Sequence, residues 1–317
     1  MIKIERILCP VDLPLNSDGP LRYAAKLARA HGAKLCVWHC EEELATEGSV
    51  TRSEFEATIK KLLADSHSRG SGNDASSSLD WENILIEGSN PAEAITREAA
   101  ERGVDLIVMC SRRRPLRAAL LGSTAEHVYR HAPCPVLITH PDQQGEAAIS
   151  SETIRPRRVL VAHDFSDYSE LALSYARTLA RESQAELHLL HVLALPVLSE
   201  PELAWMPSSV EETHHKAARA LQNAVPDGEA YPWRNVKHIV RRGQPYREIL
   251  AYARENEIEL ILMGVHGAGF GMRKLFGSNV DRVIRQSPCP TLVARPLKPQ
   301  GPSLQIENSN DQRRIDL

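Results

Sequence analysis

No apolar run among the 317 residues approaches the ~18 that a membrane-crossing helix needs, so no membrane is expected as a partner. A large excess of charge is missing too. The formal net charge is -3, and nothing global draws the chain to nucleic acid or to an anionic surface. A secretory segment is not expected either, because MIKIERILCPVD leads straight into a strand pattern. The six cysteines are Cys9, Cys36, Cys40, Cys110, Cys134 and Cys289, and most sit inside apolar runs. A free cysteine there behaves as a small buried hydrophobe, and a reducing cytoplasm is the expected location.

Catalytic signatures are equally scarce. No Ser/His/Asp or Cys/His arrangement is evident, and no motif places two carboxylates beside a phosphate loop, so no catalytic residue is expected. Cys36, His39 and Cys40 do not converge on a metal, since positions 36 and 40 share one strand face and 39 points to the other. His214 and His215 read as surface residues of a helix. The turn HDFSDYSE at 163–170 lacks glycine, and Gly267, Gly269 and Gly271 are spaced GxGxG, not GxGxxG. Both facts speak against a dinucleotide-binding fold.

What the chain does have is itself, twice. Residues 6–40 align without gaps on 158–192, matching Asp12 to Asp164, Leu35 to Leu187 and His39 to His191. DLIVMC at 105–110 aligns with ELILMG at 259–264, and GSTAEHVYRHAPCPVLI at 122–138 with GSNVDRVIRQSPCPTLV at 277–293. Cys134 and Cys289 recur in matching PCP segments, which assigns them to packing. The expected division is a domain at 1–141, a polar linker at 142–155, a second domain at 156–298 and a frayed tail at 299–317.

Within each half, short apolar runs alternate with segments of helical spacing. The runs Ile7–Val11, Cys36–His39, 83–87, 105–110 and Val136–Thr139 read as strands, as do their counterparts in the second half. Strands alternating with helices give a parallel, doubly wound α/β sheet, here five strands per half. RGSGNDASSS at 69–78 reads as a loop.

The most informative stretch runs from Glu257 to Pro296: strand, glycine loop, helix, strand. Glycine lets a backbone approach a ligand closely, and a helix start presents free N–H groups to an anion. Two residues separate Gly264 from Gly267, nine separate Gly267 from Gly277, and Ser278 follows. With the aspartate after the first strand, this spacing resembles the universal stress protein family, in its tandem two-domain form. The resemblance covers both halves and implies two tandem Rossmann-like domains.

It also implies ATP, with Mg2+, in the second half. Asp164 would contact the adenosine and Val192 would lie against the adenine, while Gly264, Gly267, Gly277 and Ser278 would take ribose and phosphates. Ala162, Met263, Val265 and Asn279 complete the implied site, and Arg273 and Lys274 stand ready to add contacts. The function implied is a stress-response regulatory protein. Alternatives are a slow adenine-nucleotide hydrolase and a nucleotide-free scaffold. The last strands of the two halves are expected to pair as an intrachain pseudo-dimer, and two chains are expected to build a homodimer on it.

The first half departs from the motif. Cys110 and Arg113 stand where the second half has Gly264 and Gly267, and the loop is one residue shorter, although Asp12, Gly122 and Ser123 remain. Side chains at 110 and 113 obstruct a close approach, so this half is expected not to bind ATP in the family's manner. Arg112, Arg113, Arg114 and Arg117 read either as a solvated basic loop or as a site for an anion.

Overall fold

The computed structural model describes residues 2–12, 19–41, 52–65, 79–87, 90–111, 122–139, 156–179, 184–194, 207–225, 233–265 and 278–296. The expected linker, the tail, the loop at 69–78 and the arginines at 112–117 lie outside the described residues, as do Gly267, Arg273, Lys274 and Gly277.

The first half contains β1 (Arg6–Pro10), α1 (Gly19–His31), β2 (Lys34–Glu41), α2 (Arg52–Asp65) and β3 (Trp81–Glu87). It continues with α3 (Pro91–Glu101), β4 (Leu106–Cys110), α4 (Ser123–His131) and β5 (Val136–Thr139). The second repeats this order: β6 (Arg158–Ala162), α5 (Asp167–Leu179), β7 (Glu186–Leu193), α6 (Pro207–Ala224) and β8 (Asn235–Arg242). Then come α7 (Pro245–Glu255), β9 (Leu260–Gly264), α8 (Ser278–Gln286) and β10 (Thr291–Ala294).

The strand order is β3-β2-β1-β4-β5-β10-β9-β6-β7-β8. Each half is a five-stranded parallel sheet, and the two join antiparallel through β5 and β10, with Leu137 opposite Leu292. Sequence pattern explains the layering. Runs such as LIVMC in β4 and LILMG in β9 are apolar at successive positions because both sheet faces are covered. Successive side chains then enter opposite cores: Leu260 and Leu262 pack with α5 and α6, while Ile261 and Met263 pack with α7 and α8. The first half is layered alike, α1 and α2 on one face, α3 and α4 on the other. Proline opens both α3 and α7, where a missing N–H costs nothing.

The join between the halves is reciprocal. Arg130 donates to Asp281 at 2.6 Å, and Arg285 donates to Glu126 at 3.0 Å. The repeat aligns Glu126 with Asp281 and Arg130 with Arg285. Each half therefore offers the same acid and base to the other, as subunits related by a twofold axis do. The symmetry breaks at Tyr129, aligned with Ile284, whose hydroxyl donates to Asp281 as well. Arg295 adds hydrogen bonds to the carbonyls of Arg130 and Ala132.

Candidate functional site

In an open parallel sheet, ligands collect at the carboxyl ends of the strands, where the strand order reverses. In the second half that point lies between β6 and β9.

β6 ends at Ala162 and runs into His163-Asp164-Phe165-Ser166 before α5 begins. The Asp164 carboxylate accepts from the Ser166 N–H at 3.2 Å and from its hydroxyl at 2.6 Å. Ser166 Oγ in turn accepts the Ser169 N–H at 3.3 Å and so caps the helix. A short relay of hydrogen bonds thus holds half-buried Asp164 at the strand end. The sequence signal for this arrangement is a serine three residues before Ser169, in a turn that glycine does not occupy.

Two histidines fix the same corner. His163 is 2% exposed. Its Nδ1 accepts the Phe165 N–H at 3.3 Å, which leaves Nε2–H to donate to Glu170 at 3.1 Å. Burial lowers the His163 pKa from its ordinary value, and the Glu170 carboxylate opposes that shift only in part. On β7, His191 donates its Nδ1–H to the His163 carbonyl at 2.8 Å. The repeat does the same in the first half, where His39 Nδ1 meets the Val11 carbonyl at 2.9 Å. These histidines are structural ties, which the sequence pattern had shown only as a matched pair.

Phe165 is the residue that motif reading misses altogether. Its φ is +66°, in the left-handed region that a bulky side chain avoids. Its ring lies 4.5 Å from the His191 ring and 5.2 Å from that of His163. It remains 40% exposed, the one large hydrophobic side chain so exposed among the described residues. Val192, the next residue on β7 after His191, is half-buried and packs on the opposite face of the sheet.

Gly264 ends β9 directly beside α5. A Cβ built there would stand 2.6 Å from Tyr168 Cβ and 2.8 Å from the Tyr168 carbonyl carbon. The expected reason for this glycine was room for a ligand; the structure adds a second, room for the first turn of α5. Met263 and Val265 on either side are buried, and Val265 N–H reaches the Ala294 carbonyl at 2.9 Å. The structure therefore brings Ala162, Asp164, Val192, Met263, Gly264 and Val265 to one end of the sheet. α8 opens at the same end with Ser278 and half-buried Asn279. Among the described residues no group of three or more His, Cys, Asp or Glu is placed to hold a metal ion.

The buried cysteines are poor nucleophiles. Burial raises the thiols of Cys36 and Cys289 to about 12, and that of Cys134 well above its ordinary range.

Relatives agree with this architecture. The chain is 28% identical over 313 residues to a universal stress protein of Mycolicibacterium smegmatis, covering 92% of this chain and 97% of that one. It is 33% identical over 146 residues to the universal stress protein YxiE of Bacillus subtilis, covering 44% of this chain and 98% of that one. The crystal structure of a universal stress protein from Archaeoglobus fulgidus superposes with a TM-score of 0.58 at 24% identity, over 93% of this chain and 98% of that one, which speaks to the fold alone. The universal stress protein family matches residues 3–140 and again 156–295, and the chain belongs to that family in tandem form.

Proposed function

We propose that this is a nucleotide-binding regulatory protein that holds ATP in its second half, while its first half has lost that capacity. The observation that carries the reading is one convergence. A carboxylate held by a helix cap, a glycine-ended strand, an exposed aromatic ring and a helix start meet at the strand-order reversal of β6 and β9. Asp164 would accept from the adenosine hydroxyls, and Phe165 and Val192 would give the base an apolar flank on either side of the rim. The start of α8 would face the phosphates, where a helix dipole favours an anion by roughly 0.3–1 kcal/mol.

These residues fit a nucleotide better than a tightly caged metal. With no cluster of ligating side chains among the described residues, a magnesium ion arriving with ATP would lean on phosphate oxygens and water. His163 supports a holding role over a hydrolytic one. It is nearly fully buried and both ring nitrogens are engaged, so it is not placed to take a proton from a bound molecule.

The test is direct. Purified protein is denatured and the supernatant run on anion-exchange chromatography, and nucleotide-free protein is assayed for thermal shift with Mg-ATP. ATP should be released from the natural protein and be absent from Asp164→Ala and Gly277→Ala. No nucleotide combined with no thermal shift overturns the reading, and rapid turnover would convert it to a hydrolase.

A further inference from the structure

At the end of the sheet that carries the candidate site, α7 and α8 pack side by side and present two arginines to a single tyrosine. Arg247 donates from Nε to the Tyr246 hydroxyl at 3.0 Å. Arg282 lays its guanidinium over the Tyr246 ring, with Cζ 4.6 Å from the centroid. Tyr246 is itself half-buried against the core, so it anchors both cations. The hydroxyl feels them: its pKa is lowered, first by the Arg247 hydrogen bond and then with help from Arg282.

The charge is not balanced locally. The nearest carboxylates in sequence are Glu248 and Asp281, and both are engaged elsewhere, Glu248 with Arg241 at 3.5 Å and Asp281 with Arg130 at 2.6 Å. Among the described residues, neither Arg247 nor Arg282 has a carboxylate partner. Arg247 also stands in the first turn of α7, where the helix dipole disfavours a cation, and Gln244 supplies no side-chain cap. Two like charges held together against a dipole break a local rule, and such breaks are expected at functional positions.

The repeat supplies an internal control. Aligning Pro91 with Pro245 puts Ala92 opposite Tyr246 and Glu93 opposite Arg247, and the α4/α8 alignment puts His127 opposite Arg282. The first half thus has no tyrosine anchor, and it has an acid in the first turn of α3, capped by Asn90. Among the described residues the dicationic arrangement belongs only to the second half, whose sequence has the glycines at 264, 267 and 277. Arg282 lies four residues after Ser278, one turn along α8 from the helix start.

We infer that Tyr246, Arg247 and Arg282 form a phosphate-recognition site that receives the distal part of a polyphosphate, and so sets the preference of the second half for a triphosphate over its less charged relatives. As a nucleotide site this rests on the ATP reading above; as an anion site it stands without it. Two guanidiniums offer forked donors matched to phosphate oxygens, and the tyrosine keeps them in place before the ligand arrives.

The experiment uses full-length, nucleotide-stripped protein titrated calorimetrically with ATP, AMP, adenosine and inorganic triphosphate. The natural protein should prefer ATP to AMP. Arg247→Glu, which installs the first half's residue, should weaken ATP and triphosphate at least tenfold and leave adenosine unchanged. Arg282→Gln should behave alike, and Tyr246→Phe should show a smaller loss confined to the same two ligands. Both arginines are exposed, and unfolding temperatures check that the variants fold; Arg247→Gln replaces Arg247→Glu if they do not. ATP binding unaffected by either arginine variant overturns the inference and leaves the ATP reading intact. Arginine-dependent triphosphate binding without any adenosine or ATP binding supports the site and overturns the ATP reading. Binding of none of the ligands overturns both.

Discussion

Gly264 and Phe165 show how differently single residues can be read. The spacing of Gly264 relative to Gly267 and Gly277 was visible in the sequence, yet its steric neighbour was not, because Tyr168 is 96 positions away in the chain. Gly264→Ala should destabilise the protein without any ligand present. The new Cβ meets helix backbone, which must shift, and overpacking of that kind costs about 1–3 kcal/mol. Gly122→Ala is the contrast: a Cβ there meets nothing within 4 Å, so the change should cost only the poorer N-cap that alanine makes at the start of α4, about 0.5–1 kcal/mol in urea unfolding. Phe165 was illegible for another reason. No periodicity or motif announces a positive φ outside glycine, and the ring's exposure follows from the turn that Asp164 and Ser166 build. Phe165→Ala should weaken ATP roughly threefold to tenfold, the scale of an aromatic contact. Phe165→Gly should weaken it equally, yet unfold at a higher urea midpoint than Phe165→Ala, since glycine relieves about 1 kcal/mol of left-handed strain.

The strands and helices themselves were almost fully legible, because buried parallel strands appear as unbroken apolar runs and the repeat marks every boundary twice. Cys36–His39 was read short of its true extent, Lys34–Glu41, because its ends are polar and only pairing with β1 and β3 extends it. What the elements do to one another at the α4/α8 join was not legible, since ion pairs leave no periodic trace. Glu126 and Asp281 occupy equivalent places there, but only Asp281 also accepts the Tyr129 hydroxyl. Asp281→Ala should therefore be more destabilising than Glu126→Ala. It strands the buried Tyr129 hydroxyl, while the Arg130 guanidinium keeps Glu126 at 3.0 Å, and one lost hydrogen bond to a charged group is worth about 1.5–3 kcal/mol. Tyr129→Phe should erase that difference. Equal unfolding midpoints for the two alanine variants would show that the tyrosine contributes nothing to the join.

Across the whole molecule, the two halves share a sheet and a join but not a response to acid. The second half buries His163 and His188 where the first has Val11 and Cys36. Burial lowers both imidazole pKa values from 6.5. Glu170 opposes the shift at His163, and Glu186 opposes it at His188, where Lys237 and Arg158 reinforce it. His188 also shares its Nδ1 with the Tyr252 hydroxyl at 2.8 Å. A histidine whose folded pKa lies below its unfolded value binds its proton more readily in the unfolded chain, so stability rises with pH across the interval between the two values. The contribution is complete above pH 6.5 and is lost as pH falls through the folded values. In the corresponding strands of the first half the buried imidazole is His39, tied to the Val11 carbonyl. Urea unfolding between pH 8 and pH 5 should thus show the second half losing stability first. With Trp81 and Trp205 replaced by Phe, buried Trp233, next to Arg234 whose N–H donates to the Ala185 carbonyl, reports on that half, and Trp38 in β2 reports on the other. His188→Leu should reduce the pH dependence of the Trp233 signal to the part that His163 contributes and leave that of Trp38 in place. Coincident transitions of the two tryptophans at every pH would mean that the continuous sheet makes the halves a single cooperative unit, with the join across β5 and β10 stronger than the electrostatic difference between them.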